Sequence, residues 1–144
     1  MSRGAILERL SAMREFVEQL RRYKGASFEE FSADPTLRAA VERFFQLAIE
    51  AALDVSNMLC RELGLRRPGE GRESILALGR AGVLPPEFAE RFAPVASFRN
   101  ILVHQYLRID RRIVYEKLQT GLDDFEEFAR YVARALRRMG EGGH

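Results

Sequence analysis

Apolar residues recur along most of the chain at the three- and four-residue spacing of helices, and few β-branched runs interrupt that period. The first stripe consists of Ile6, Leu10, Met13, Val17 and Leu20, and "KGAS" ends it. A second stripe starts at Asp34, a capping residue, followed by Pro35 at the first helical position. If unbroken from Pro35 to Leu63, this helix is about 43 Å long at 1.5 Å per residue. The pattern predicts a long central helix in an all-α antiparallel bundle.

Shorter segments complete the predicted bundle. Ser27 and Glu30 form a capping-box pattern that opens a short helix in "SFEEFSAD". Residues 64–72, "GLRRPGEGR", are typical of a loop, and "ESILALGRAG" is typical of a short helix ended by Gly82. Residues 83–106 indicate one or two helices, with Pro94 as a kink or a restart. Asp110 is expected to cap a following helix, and a last amphipathic helix runs to Met139.

The composition fits one folded domain. The chain has 144 residues, of which 47% are hydrophobic and 31% charged, and its net charge is +2. We expect one domain over residues 1–139 and a flexible tail over 140–144. No apolar run reaches the roughly 18 residues of a membrane span. Cys60 is the single cysteine, which excludes an intramolecular disulfide and a zinc cluster. A cytoplasmic location is therefore the default.

The segment "SFRNILVHQYLRID", residues 97–110, carries polar side chains inside an apolar pattern. On an ideal helix, Val95, Phe98 and Leu102 form the buried face, with Ile101 at its edge. Asn100 and His104 are four residues apart and therefore neighbours. Arg99 and His104 lie about 140° apart around the helix axis at 100° per residue. Either the helix ends near His104, or a second copy related by a two-fold axis supplies the missing partner.

The residue types in this segment suit one reaction on RNA. Histidine can accept and donate protons near neutral pH, and arginine stabilises the charge that develops on a phosphate. Without a metal, a base takes the 2′-hydroxyl proton, the oxyanion attacks the adjacent phosphate, and an acid protonates the leaving 5′-oxygen. A 2′,3′-cyclic phosphate and a 5′-hydroxyl result. The alternative is an ordinary helix end with a surface histidine.

The same residues carry a resemblance to a known family. Arg99, His104 and Tyr106 are spaced as in the Arg-x-x-x-x-His-x-Tyr motif of HepT-like proteins, members of the HEPN superfamily of helical ribonucleases. Four blocks resemble that family in the family's order. They are "AVERFFQLAIEAALDVSNML", "LGRAGVLPPEFAE", "FRNILVHQY" and "VYEKLQTGLDDFEEFA". Together they reach over most of the chain.

This resemblance implies a toxin of a toxin–antitoxin pair, built as a homodimeric helical bundle whose Arg–His motifs face each other. It implies that Arg99 and His104 are the catalytic pair, with Asn100 in support, and that RNA is the substrate. An MntA-like nucleotidyltransferase antitoxin would transfer AMP to Tyr106. AMP at that position would block RNA phosphate by both charge and volume. The alternative for Tyr106 is a half-buried aromatic residue with a wet hydroxyl.

Other candidates remain open. Glu50, Asp54 and Asn57 form a polar row on the long helix, and they either line the cleft, hold Arg99, or form a solvated or ion-paired face. Two arginine groups are candidates for RNA backbone contacts or for solvent-exposed faces. They are Arg108, Arg111 and Arg112 after the motif, and Arg130, Arg134, Arg137 and Arg138 on the last helix. Nothing in the sequence indicates a metal site or a cofactor.

Two other functions compete with an RNA-cleaving toxin. One is a non-catalytic helical partner or substrate-binding subunit of a nucleotidyltransferase. The other is a helical interaction protein with no such partner.

Overall fold

The structure, a computed structural model, describes residues 3–65 and 71–142. Within those ranges all regular elements are helical, which confirms the predicted all-α class. The helices are α1 (Arg3–Arg21), α2 (Phe28–Ala33), α3 (Pro35–Glu62), α4 (Gly71–Arg80), α5 (Pro86–Phe92), α6 (Val95–His104), α7 (Arg111–Thr120) and α8 (Leu122–Gly142). A single turn of 3₁₀-helix, Tyr106–Arg108, follows α6. Among the helices of residues 3–65 and 71–142, no candidate for a membrane-spanning segment is found.

The predicted helix starts are confirmed by their capping hydrogen bonds. At α2 the backbone N–H of Glu30 donates to Ser27 Oγ at 3.1 Å, and the N–H of Ser27 donates to Glu30 Oε1 at 2.9 Å. At α3 the Asp34 carboxylate accepts from the backbone N–H of Thr36 and Leu37. These side chains satisfy N–H groups that have no partner inside their helices.

Two boundaries differ from the prediction. Helix α4 begins at Gly71, inside the segment predicted as a loop; residues 66–70 of that segment lie outside the described residues. A Cβ at Gly71 would lie 2.7 Å from a methyl carbon of Leu53, so this glycine allows α4 to approach α3 closely. Helix α8 continues to Gly142, three residues beyond the predicted end. The division into a domain and a tail stays a prediction.

Helix α3 lies at the centre and carries α6 on one side. Its inner face is buried at Ala48, Ala52 and Val55, and α1, α4 and α6 pack around it. The ring of Phe45 on α3 meets the ring of Phe98 on α6 edge to face at 5.5 Å. Cys60 is buried in the same core. This packing fixes the helix that carries the Arg–His motif.

Helices α1 and α8 run antiparallel along the bundle. Arg14 of α1 pairs with Glu126 at 3.3 Å, and Arg21 pairs with Asp123 at 3.1 Å. The C-terminal end of α1 therefore lies beside the N-terminal end of α8.

Candidate active site

Helix α6 restarts after Pro94, so the predicted kink or restart is a restart. Its buried residues are Ala96, Phe98 and Leu102. Phe98 and Leu102 confirm the predicted inner face, whereas Val95 is only half-buried and Ile101 is 36% exposed. Ile101 faces outward because the stripe through Phe98 and Leu102 already occupies the contact with α3.

The Arg99 side chain is held by the central helix. Its Nε and Nη2 atoms donate to Glu50 Oε2 of α3 at 3.1 and 3.0 Å, and its Nη1 donates to Asn100 Oδ1 at 3.2 Å. Gln46, one turn earlier on α3, donates to the same Glu50 oxygen at 3.2 Å. Arg99 and Glu50 are both about two-thirds buried, so this ion pair is partly shielded from solvent. One carboxylate thus fixes the plane of the guanidinium.

The predicted polar row on α3 divides among three neighbouring helices. Glu50 meets the motif, as one of its alternatives predicts. Asp54 instead lies 3.7 Å from Arg9 of α1 in an exposed ion pair, and Asn57 accepts a hydrogen bond from Ser74 of α4. The structure therefore does not bring Asp54 and Asn57 to the Arg99 side chain. Residues on successive turns of this face of α3 therefore contact different helices.

His104 is the last residue of α6, and the chain turns away immediately after it. The backbone N–H of Gln105 closes the helix on the carbonyl of Ile101 at 3.0 Å. The side chains of His104 and Tyr106 make no hydrogen bond with the residues that the structure describes. Tyr106 is 67% exposed, so the alternative of a half-buried tyrosine is wrong.

The segment from His104 to Arg108 lines a shallow recess of about 390 Å³. Leu107 within it is 87% exposed, more than any other large hydrophobic side chain among the described residues. Together with Ile101, it leaves apolar surface on both sides of His104.

Arg99 and His104 stay on different sides of the helix. Helix α6 is continuous between them, so their separation around its axis remains about 140°. The helix does end at His104, but His104 itself still belongs to the helix. The first predicted alternative, a helix that ends near His104, therefore does not by itself bring the Arg99 and His104 side chains together.

The arginine group after the motif is mostly structural. Arg111 donates to the backbone and side-chain oxygens of Ser32 at 3.0 and 3.3 Å, and the Arg112 guanidinium lies 4.1 Å from the centre of the Phe28 ring. Arg108 alone of the three is exposed without such a side-chain contact among the described residues.

Sequence reasoning missed Gln46, whose amide helps to orient Glu50. Gln46 lies four residues before Glu50, the spacing of side chains that hydrogen-bond to each other on a helix. Glutamine is common on the polar faces of helices, so this spacing does not indicate a functional residue. Within the described ranges, no group of three or more His, Cys, Asp or Glu residues is placed to hold a metal ion.

A sequence model of the family described as ribonuclease HepT-like matches residues 13–132. The chain belongs to the HepT-like ribonuclease family. This confirms the resemblance drawn from the motif and its flanking blocks.

Two relatives and one solved structure illustrate the match. The chain is 26% identical over 133 residues to a tRNA nuclease HepT from Aphanizomenon flos-aquae, covering 92% of this chain and 90% of that one. It is 26% identical over 123 residues to an mRNA nuclease HepT from Shewanella oneidensis, covering 85% and 92%. A solved structure of a tri-AMPylated Shewanella oneidensis HEPN toxin in complex with an MNT antitoxin has a TM-score of 0.82, with 24% identity over 90% of this chain and 96% of the other. That structure supports the HEPN fold.

Proposed function

We propose that this chain is the toxin of a toxin–antitoxin pair and cleaves RNA without a metal ion, using Arg99 and His104 from two copies of the chain. The observation that carries this proposal is the contrast within α6. The guanidinium is fixed by Glu50, while His104, five residues later, is exposed and without a hydrogen-bond partner among the described residues. The two HepT relatives are named as RNA nucleases, which supports the same chemistry.

A homodimer completes the site. Because Arg99 and His104 lie about 140° apart on one continuous helix, a single copy does not aim both at one phosphate. A two-fold axis passing beside α6 brings the second copy's motif to face the first. The exposed apolar side chains of Ile101 and Leu107 supply surface for that contact.

The reaction needs one base and one acid, which two histidines provide. A neutral His104 takes the proton from the 2′-hydroxyl, and the 2′-oxygen attacks the adjacent phosphorus. The protonated His104 of the second copy donates its proton to the 5′-oxygen as the P–O5′ bond breaks. The Arg99 guanidinium donates to the phosphate oxygens as negative charge grows on them. DNA lacks the 2′-hydroxyl and is not cleaved.

The first experiment compares the wild type with His104→Ala on total RNA in the presence of EDTA, with mapping of the cleaved ends. We expect wild-type cleavage that leaves 2′,3′-cyclic phosphate, and a loss of at least about 10²-fold in His104→Ala. Gln105→Ala is the matched control, since it removes the neighbouring exposed side chain without removing an acid or base. Full activity of His104→Ala would overturn the assignment.

No cleavage by either protein would favour the alternative of a non-catalytic helical partner of a nucleotidyltransferase. The arrest of growth by the wild type, without any RNA cleavage, would then have to come from binding.

We further propose that an MntA-like nucleotidyltransferase antitoxin neutralises the protein by transferring AMP to Tyr106. The structure describes all four tyrosines. Tyr106 is exposed, whereas the other three are half-buried. The Shewanella toxin was solved in AMPylated form with its MNT antitoxin, which supports the same modification here. In this transfer the tyrosine oxygen attacks the α-phosphorus of ATP, the hydroxyl loses its proton, and pyrophosphate leaves.

Tyr106→Phe tests this step. The variant should keep RNA cleavage, incorporate no AMP from ATP and the antitoxin, and stay active in its presence. Tyr23→Phe, which removes a half-buried hydroxyl far along the chain, should be modified as the wild type is. AMP incorporation into Tyr106→Phe at the wild-type level would show that another residue is the acceptor. We propose a cytoplasmic location, because both the RNA substrate and the ATP used by the antitoxin for AMP transfer are found there.

A further inference from the structure

Helix α8 has an acidic first half and a second half rich in arginine, and the two halves differ in the contacts that they make with other helices. Its first two turns carry four acidic residues, and each one is paired with an arginine of α1 or α5. The pairs are Asp123–Arg21, Asp124–Arg91, Glu126–Arg14 and Glu127–Arg91, at 2.9–3.3 Å. These contacts attach the acidic half of α8 to its neighbours.

The second half carries four arginines, and none of them is paired with a side chain in the part of the chain that the structure describes. Arg130, Arg134, Arg137 and Arg138 are all exposed. None makes an ion pair, a hydrogen bond or a ring contact with the residues that the structure describes. A segregated set of exposed arginines leaves a strong local positive potential on a chain whose net charge is only +2.

Two of these arginines border a groove. Arg134 and Arg138 lie one turn apart and, with Tyr131, line an open groove of about 380 Å³. Its other walls are mainly apolar: the turn after α4 contributes Val83, Leu84 and Pro85, and the end of α3 contributes Leu63. Tyr131 lies one turn before Arg134 and is half-buried, with the centre of its ring 5.1 Å from that of Phe88. A partly exposed aromatic ring next to exposed guanidinium groups is the combination with which proteins bind the bases and phosphates of single-stranded nucleic acid.

The groove is separate from the Arg99 site. Glu50, which holds Arg99, and Leu63, which lines the groove, are thirteen residues apart on the axis of α3, or about 20 Å at 1.5 Å per residue. None of the residues that line the groove belongs to the segment His104–Arg108.

We propose that this groove is a second RNA-binding site, at which Arg134 and Arg138 contact phosphates of the substrate strand while a base lies against Tyr131. The proposal rests on the proposed function, because the occupant is the RNA that the Arg99 site cleaves. Guanidinium groups offer paired donors that match phosphate geometry, and a strand long enough to span about 20 Å would engage both sites at once. An acidic protein segment has the same charge, and it is the competing occupant that the test below separates from RNA.

The test uses the full chain in the His104→Ala background, so that RNA is bound without being cut. The probe is a single-stranded RNA of about 20 nucleotides, and its affinity is measured over a range of salt concentrations. Replacing Arg134 and Arg138 together by alanine should weaken binding about tenfold and reduce the slope of log K against log salt by about 1.4, since each phosphate contact contributes about 0.7. Replacing both by lysine should restore most of the slope, because the charge is kept.

Arg22→Ala with Lys24→Ala is the matched control. It removes the same charge near the end of α1, which lies beside the first turn of α8 and therefore at the opposite end of the bundle from Arg134 and Arg138. An equal loss of affinity in this control would overturn the proposal, because it would show a general charge effect. Unchanged affinity in the Arg134 and Arg138 variant would also overturn it, and if that variant instead loses binding to the antitoxin, the groove is a protein-docking surface.

Cleavage separates this proposal from the proposed function. With His104 intact, the double alanine variant should raise KM for the long RNA about tenfold and leave KM for a dinucleotide substrate unchanged. If the wild type cleaves nothing, the proposed function fails while the binding result still stands. If cleavage is normal but both substrates respond equally, the second site fails and the proposed function stands.

Discussion

The Arg–His motif extends from the middle to the end of helix α6, and its two parts differ in their contacts with the rest of the chain. At Phe98 and Arg99 the side chains are packed against Phe45 or hydrogen-bonded to Glu50, so α3 determines their positions. At His104 and beyond, the side chains face solvent, and Leu107 is 87% exposed.

This difference separates residues that contacts within one chain already hold in place from residues that a second copy contacts in the dimer proposed above. An arginine that must meet a phosphate gains from being held in place, because no orientation is then lost when the substrate binds. An exposed leucine beside an exposed histidine makes no contribution to the fold of one chain. The comparison therefore predicts that the first end governs stability and positioning, and the second end governs assembly.

The largest effect is expected from Phe98→Ala. Phe98 is 5% exposed, and removal of a buried phenylalanine side chain costs about 3–5 kcal/mol through lost burial and the cavity left behind. Leu7→Ala, at an exposed position on α1, should change the free energy of unfolding by no more than about 0.5 kcal/mol. Urea unfolding measures both. A loss below 1 kcal/mol in Phe98→Ala would contradict the packed character of this end.

Leu107→Ser should break the other end. We expect the dimer dissociation constant to rise at least about tenfold, while the helical content stays unchanged, because a large apolar side chain is lost from the contact and none from the core. Sedimentation equilibrium gives the constant, and circular dichroism gives the helicity. Unchanged dimerisation would show that the exposed apolar surface beside His104 is not the interface. Leu7→Ser, which also removes an exposed leucine, is the control.

Glu50→Gln should lower kcat about tenfold with little change in KM. The neutral amide replaces a charge-assisted pair with a weaker hydrogen bond, so Arg99 is less well oriented while the phosphate can still bind. Asp54→Asn is the same chemical change one turn further along α3, at a carboxylate paired with Arg9, and should leave activity unchanged. Single-turnover cleavage separates the two constants. If both variants lose activity equally, Glu50 has no special relation to Arg99.

The smallest effect concerns Glu42, near the packed side of α3. Burial raises the pKa of this carboxyl, and the nearby charges of Arg38 and Arg111 lower it less strongly. The folded state then binds more protons than the unfolded state just above the ordinary glutamate range, so stability falls as the pH rises through that window.

Glu42→Gln removes this loss. The variant should be slightly more stable than the wild type at pH 7, by less than about 0.5 kcal/mol, with the difference disappearing as the pH falls below the ordinary glutamate range. Thermal unfolding between pH 4 and pH 7 measures it. A variant that is less stable than the wild type at pH 7, with this difference vanishing toward acid pH, would show that the arginine charges dominate.

Much of this fold is predictable from local signals. Asp34 with Pro35 and Ser27 with Glu30 mark helix starts by hydrogen bonds that reach only two or three residues along the chain, so the sequence contains both partners. The start of α4 is not predictable in this way. Gly71 is used for close approach to Leu53, a residue eighteen positions away, and a glycine gives the same local signal in a loop.

The polar row on α3 shows the same limit. Its spacing placed Glu50, Asp54 and Asn57 on one side of the helix, which is a property of helix geometry alone. Which neighbour each one meets depends on how α6, α1 and α4 are arranged around α3, and only Glu50 reaches the motif.

Sequence patterns are enough to predict the helical class, the positions of the caps, the Arg99–His104–Tyr106 spacing and the family, because each depends on residues close in the chain or on an ordered set of blocks. The tertiary structure alone decided that Arg99 is held by Glu50 while Tyr106 and Leu107 are exposed, and that the arginines of α8 border an apolar groove. Contacts between residues dozens of positions apart arise from the packing of helices against one another. A periodic pattern predicts which face of a helix is buried, but it does not predict which residues of other helices contact that face.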